Sequence, residues 1–136
     1  MVENVVPTDA WHALLRDPDA QLVDVRTQPE WAFVGLPDLD EASKQPILIP
    51  WQSFPSMQAD PGFTDKLRDA GLLPSSKIYF LCRSGARSMA AAHAAEQVGF
   101  QNTFNVVDGF EGPLDADGHR GTAAGWKADG LPWRQR

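Results

Sequence analysis

The chain is predicted to fold as a layered α/β domain, with helices packed on both faces of a mostly parallel central sheet. Two observations carry this expectation. Short apolar runs of strand-forming residues alternate with helical segments, the pattern of βαβ units. No internal repeat and no low-complexity linker interrupts that alternation.

The elements follow in order. Thr8-Asp9 offers an N-cap for a short helix over Ala10–Arg16, with Trp11, Leu14 and Leu15 on its apolar side. Asp17-Pro18-Asp19 ends it. Gln21–Val25 reads as a buried strand that leads into Asp24-Val25-Arg26. Pro29–Phe33 reads as one helical turn, and Gly35–Gln45 is acidic and turn-like without clear periodicity. Pro46–Pro50 holds Ile47, Leu48 and Ile49, a short buried strand. Asp60-Pro61 opens a helix that runs to Ala70 and closes at Gly71. Lys77–Leu81 is the next strand, Arg87–Val98 an Ala-rich helix closed by Gly99, and Thr103–Val107 a further strand. The stretch Asp108–Gly125 is rich in Gly and Asp. Thr122–Lys127 is expected to form a last helical turn before Gly130-Leu131-Pro132.

At 136 residues the chain is expected to be one domain, 1–136, with a real core. A net charge of −6 argues against nucleic acid as a partner. The charge is uneven, however. No Asp or Glu lies between Asp69 and Glu96, while Lys77, Arg83 and Arg87 do. That makes a local cationic patch suited to a small anion. A single cysteine forms no internal disulfide, which suits a reducing compartment. The N-terminal residues show no basic region followed by an apolar core. Neither a signal peptide nor a membrane span is expected, and the cytoplasm is the expected location.

The most informative stretch is Lys77-Ile78-Tyr79-Phe80-Leu81-Cys82-Arg83-Ser84-Gly85-Ala86-Arg87-Ser88. A β-rich run ends at Cys82, a small basic loop follows, and a helix begins. Backbone N–H groups and the dipole of that helix favour an anionic sulfur there, so Cys82 is a candidate nucleophile. Residues Cys82 to Arg87 have the length to curl into an anion-binding nest. Gly85 permits the backbone angle this needs. Ser84 and Ser88 add hydroxyl donors, and Arg83 and Arg87 add charge that grips a sulfonate or phosphate with paired bonds. In parallel sheets, ligands bind beyond the carboxyl ends of the strands. Cys82 and the Asp24/Arg26 pair both fall at such ends, which would place them in one crevice.

The sequence resembles the rhodanese (sulfurtransferase) family. The resemblance rests on Leu22-Val23-Asp24-Val25-Arg26, on Glu30-Trp31, on the loop CRSGAR, and on the tail Gly125-Trp126-Lys127-Ala128-Asp129-Gly130-Leu131-Pro132. It spans roughly Thr8 to Trp133, and the loop is its specific part. It implies a three-layer α/β/α rhodanese-like fold. It also implies that Cys82 takes a sulfur from a small anionic donor such as thiosulfate, carries it as a persulfide, and yields it to cyanide or a thiol. On that reading no cofactor is needed beyond the covalent persulfide. The loop residues Arg83, Ser84, Gly85, Ala86, Arg87 and Ser88 would bind the substrate. Asp24, Arg26 and Glu30 would support the loop, with Arg87 pairing with Asp24 as an alternative to binding the donor.

Other readings compete. The same loop would serve a persulfide carrier loaded by a partner protein. Phosphatases and arsenate reductases of the same fold carry C-x5-R, whereas Cys82 to Arg87 is C-x4-R. The smaller ring suits sulfur better. Lone cysteines are commonly buried structural residues, and the loop argues for the other reading here. His12, His93 and His119 have no metal-ligand spacing. Asp115-Ala116-Asp117-Gly118 lacks the later carboxylates of a calcium loop and reads as a turn. The five Trp residues are expected to cover the core, with Trp51 a candidate pocket wall beside Phe54 and Met57. Two departures from the family pattern stand out. Gly35-Leu36-Pro37-Asp38 replaces a Gly-His-Ile-type run, and Phe110–Ala124 is long, either a flap near the loop or surface decoration.

Overall fold

A computed structural model of the chain describes residues 1–135. In chain order the elements are β1 (Glu3–Val5), α1 (Pro7–Arg16), β2 (Ala20–Asp24), α2 (Gln28–Phe33), β3 (Leu36–Pro37), a 3₁₀ turn (Asp40–Ala42), β4 (Ile47–Leu48), β5 (Gln52–Ser53), β6 (Gln58–Ala59), α3 (Phe63–Asp69), β7 (Lys77–Leu81), α4 (Ala86–Gln97), β8 (Asn102–Val106) and β9 (Trp133–Arg134). Five strands form one sheet in the order β1-β8-β7-β2-β4, and every pairing in it is parallel. The pairs β3–β9 and β5–β6 are small antiparallel ribbons outside it. No helix among the described residues is long and apolar enough to cross a membrane.

Successive side chains of a strand point to opposite faces, and this divides the core in two. Ile78, Phe80 and Cys82 pack with Phe63 and Leu67 of α3 and with Ala91, Ala92 and Ala95 of α4. Tyr79 and Leu81 face the other way, onto Trp11 and Leu14 of α1 and onto Phe110, Trp126 and Leu131. The buried positions of α4 are Ser88, Ala91, Ala92 and Ala95, the spacing of one helical face. Their small side chains let this helix lie close against the sheet. The three-layer arrangement expected from the sequence is the one observed.

The differences have local causes. Strand β1 has no apolar signature, because a Glu-Asn-Val edge strand is held by backbone pairing to β8. Helix α1 starts at Pro7, whose fixed φ and missing N–H suit the first helical position, so Thr8 and Asp9 lie inside it. The turn expected over Thr122–Lys127 is not helical. Its N–H groups bond elsewhere: Trp126 N–H donates to Gly109 O and Lys127 N–H to Phe110 O. Within the acidic Gly35–Gln45 stretch, β3 forms because Leu36 and Pro37 pair with Arg134 and Trp133.

After β8 the chain makes a left-handed turn at Asp108 and Gly109 and passes directly beneath the end of β7. A side chain at Gly109 would lie 2.7 Å from both the carbonyl carbon and the oxygen of Arg83. Gly118 also has positive φ but has open space around it. Gly109→Ala is therefore expected to lower the unfolding free energy by about 2 kcal/mol or more, and Gly118→Ala by about 1 kcal/mol. Urea denaturation of the two variants checks this, and equal losses would contradict the role given to close approach at Gly109.

Candidate active site

Cys82 follows β7 on the face already occupied by Phe80, so its side chain points toward α4. The residue is 1% exposed. The next residues turn back on it. Gly85, at φ 111°, has a backbone conformation that side chains rarely adopt. This lets its N–H donate to Cys82 Sγ at 3.1 Å while it caps α4. Ser88, in the first turn of α4, brings its hydroxyl to 3.2 Å from the same sulfur. A strand end, a glycine turn and a helix start thus converge on one atom.

The outer side of the loop is held by backbone. Phe110 N–H donates to Cys82 O at 2.8 Å, and Glu111 and Gly112 donate to Arg83 O at 2.9 and 3.1 Å. The start of the Phe110–Ala124 stretch is therefore neither flap nor decoration; it is the strap behind the loop. Further on, Asp115 accepts bonds from Asp117 N–H, His119 N–H and the Thr122 hydroxyl. Its carboxylate closes its own turn, as read from the sequence.

One side of the loop is held by charge. Arg87 donates two bonds to Glu30, Nη1 to Oε1 at 2.7 Å and Nη2 to Oε2 at 2.9 Å. Glu30 is fixed in turn by a capping box at the start of α2, where Thr27 N–H and Thr27 Oγ1 both donate to Oε1. Burial pushes the Glu30 carboxyl up. The Arg87 hydrogen bonds and charge, with those from Thr27, more than reverse this and hold it below its ordinary value. The Glu30 hydrogen bond likewise raises Arg87.

In front of the sulfur is a cavity of 320 Å³, lined by Glu30, Gln52, Met57, Cys82, Arg83, Ser84, Ala86 and Arg87. Arg83 is exposed there and, among the described residues, has no salt-bridge partner. With Arg87 neutralised by Glu30, Arg83 supplies the cavity's free positive charge.

Several expected residues lie elsewhere. Asp24 and Arg26 do not share the cavity, because both are fully buried and bond to each other, Nε to Oδ1 at 2.9 Å and Nη2 to Oδ2 at 2.7 Å. Arg87 does not pair with Asp24, whose carboxylate is already taken by Arg26; it pairs with Glu30. Ser88 sits behind the sulfur with no exposed surface, so it does not line the cavity. Trp51 packs edge-on against Phe63, with ring centroids 5.2 Å apart, and lines a separate cleft with it, whereas Met57 walls the cavity at Cys82. Gln52 and Met57 enter from the β5–β6 ribbon, and Asn105 reaches Ser88 from β8. The polar two-residue strands β5 and β6 leave no pattern in the sequence, and Asn105 lies twenty-three residues from Cys82, with no motif linking them.

Comparison with known proteins agrees with this fold. The family model described as STR4 middle domain matches residues 3–136. The crystal structure of Rv0390 from Mycobacterium tuberculosis is 44% identical, covers 99% of this chain and 98% of its own, and superposes with a TM-score of 0.90. The uncharacterized protein RP600 of Rickettsia prowazekii is 38% identical over 98% of both chains. The chloroplastic protein THYLAKOID RHODANESE-LIKE of Oryza sativa subsp. indica is 30% identical over 91% of this chain and 23% of its own length.

The Glu30–Arg87 pair carries a pH signature. The folded-state carboxyl titrates below its ordinary 4.5, so the stabilisation it gives is complete above that pH and is lost as pH falls through the lower folded value. Glu30→Gln is expected to cost about 1–2 kcal/mol at neutral pH. The gap between wild type and variant should close in acid, as measured by denaturation at a series of pH values. A gap that persists unchanged in strong acid would contradict the pairing.

Proposed function

This chain belongs to the rhodanese-like family of the STR4 middle domain, and from that premise we propose that it is a sulfurtransferase with Cys82 as the sulfur-carrying nucleophile. The observation that carries the reading is the sulfur itself. It borders a cavity of a few hundred cubic ångströms that Arg83 also lines, and it receives the Gly85 N–H at 3.1 Å; among the described residues Arg83 has no salt-bridge partner. A site of this size and charge suits a small anion, and thiosulfate is the donor we assign.

The cycle has two half-reactions. Cys82 thiolate attacks the outer sulfur of thiosulfate. A new sulfur–sulfur bond forms, the old one breaks, and sulfite leaves with the electron pair. Arg83 holds the sulfonate end, and the loop backbone at Gly85 stays against the cysteine sulfur. Cyanide or a thiolate then attacks the outer sulfur of the persulfide. Thiocyanate or a new persulfide departs, and Cys82 thiolate is restored. No cofactor takes part in this cycle, and a reducing compartment such as the cytoplasm suits the free thiol.

A second reading is a carrier loaded by a partner protein. The β5–β6 ribbon favours it, because it places Met57, 41% exposed, on the cavity and Phe54, 62% exposed, on a second cleft that shares Gln52 with it. Rapid loading from a desulfurase with slow loading from thiosulfate would select this reading.

Intact mass after thiosulfate treatment is the direct test. A gain of about 32 Da that cyanide removes is expected for the wild type, and none for Cys82→Ser. Sulfur uptake in a folded Cys82→Ser protein would overturn the assignment. Arg83→Ala is expected to raise the KM for thiosulfate about tenfold while changing kcat less.

A further inference from the structure

Behind Cys82 runs a line of polar groups that the reaction above does not use. Sγ lies 3.2 Å from Ser88 Oγ, Ser88 Oγ lies 2.5 Å from Asn105 Oδ1, and Asn105 Nδ2 lies 3.1 Å from Asn4 Oδ1. Ser88 and Asn105 are 0% and 3% exposed. Asn4 is the register partner of Asn105 on the edge strand β1 and is open to solvent. The line therefore connects the sulfur to the outside of the sheet through three side chains.

Counting protons shows what it can do. The Ser88 hydroxyl has one proton and three neighbours: the sulfur, Asn105 Oδ1, and Gly85 O at 3.2 Å. When Asn105 presents Oδ1, the proton goes to that nearest oxygen. The sulfur must then be the donor, which requires a thiol. When the Asn105 amide is turned over, Nδ2 donates to Ser88 Oγ and the hydroxyl proton is released toward the sulfur. That arrangement holds a thiolate through a charge-assisted bond. Asn105 Oδ1 then faces Asn4, whose exposed amide turns over as well and donates. An amide has nearly the same shape either way round, so both directions fit one packing.

We propose that Asn105 is a positioning residue that sets whether Ser88 accepts from the Cys82 thiol or donates to its thiolate, with Asn4 closing the outer end of the chain. The inference rests on Cys82 being the reacting thiol. It explains why a carboxamide stands at 105. An ionised Asp there only accepts, so it would hold the Ser88 proton away from the sulfur. A Leu does neither and would leave Ser88 free to donate. The charged groups that share the cavity with the sulfur are Arg83 in the loop, Arg87 on α4 and Glu30 from α2; Asp24, paired with Arg26, acts on Arg87 from the β2 side, and Asp108 after β8 brings its backbone near Gly85. All remain in every variant below.

The test is the pH profile of Cys82 alkylation by iodoacetamide, followed by intact mass. Asn105→Asp is expected to move the midpoint up by about one pH unit, roughly tenfold slower reaction at neutral pH. Ser88→Ala is expected to shift it by a similar amount, and adding Asn105→Asp to Ser88→Ala to shift it no further. Asn105→Leu should stay near wild type. A shift from Asn105→Asp that is equally large with and without Ser88 would show a bare charge effect and overturn the proposal. Should the buried Asp unfold the protein, Asn4→Asp at the exposed edge carries the same test. It fixes Asn105 Nδ2 outward and is expected to raise the midpoint by a smaller amount, only when Ser88 is present; no shift would overturn the proposal. Sulfur loading from thiosulfate is measured on the same samples. Its absence in wild type counts against the sulfurtransferase, while the alkylation profile judges Asn105 by itself.

Discussion

The crossing of Asp108–Gly112 beneath the end of β7 is the constraint on which the site depends. Three N–H groups of that segment hold the carbonyls of Cys82 and Arg83 from outside. Fixed there, the loop can turn at Gly85 and bring a backbone donor onto the sulfur. The approach is so close that residue 109 has no room for a side chain. Trp126 and Lys127 then tie the C-terminal segment to Gly109 and Phe110, so the strap is itself strapped.

Charge is arranged around this backbone frame in two nested pairs. Asp24 and Arg26 form the inner one. Arg26 also donates to Gly35 O at 2.8 Å and stacks 4.3 Å from the centroid of the Phe110 ring. A buried pair of this kind is weak as a source of stability, since desolvation offsets most of the attraction. It does fix geometry, linking the end of β2, the turn before β3 and the strap. Glu30 and Arg87 form the outer pair, binding α2 to the start of α4. Each of these arginines is matched by a carboxylate, whereas Arg83 has no salt-bridge partner among the described residues.

How much of this the sequence could show depends on the range of the interactions. The alternation of strand and helix is a local signal, so the layers and central strands were legible. So was the loop from Cys82 to Arg87, where residue types and spacing are contiguous. The partner of Arg87 was not. Asp24 and Glu30 both lie near the end of β2, and only packing shows that Arg26 has already satisfied Asp24. The edge strand β1 and the ribbons β3–β9 and β5–β6 also escaped reading, because strands of two or three residues carry no periodicity. Helical character was expected at Thr122–Lys127, where the backbone instead serves Gly109 and Phe110. Tertiary hydrogen bonds overrode a weak local preference there.

In the proposed reaction, a loop fixed beforehand presents the Cys82 sulfur to a small anionic donor. A crystal structure of the protein after reaction with thiosulfate tests it most directly. One added sulfur is expected on Cys82 Sγ, directed into the cavity that Arg83 lines, with the Gly85 N–H still on the cysteine sulfur and the Glu30–Arg87 pair intact. An unmodified sulfur, or a loop that opens and frees Arg87 from Glu30 to bind the anion, would contradict it.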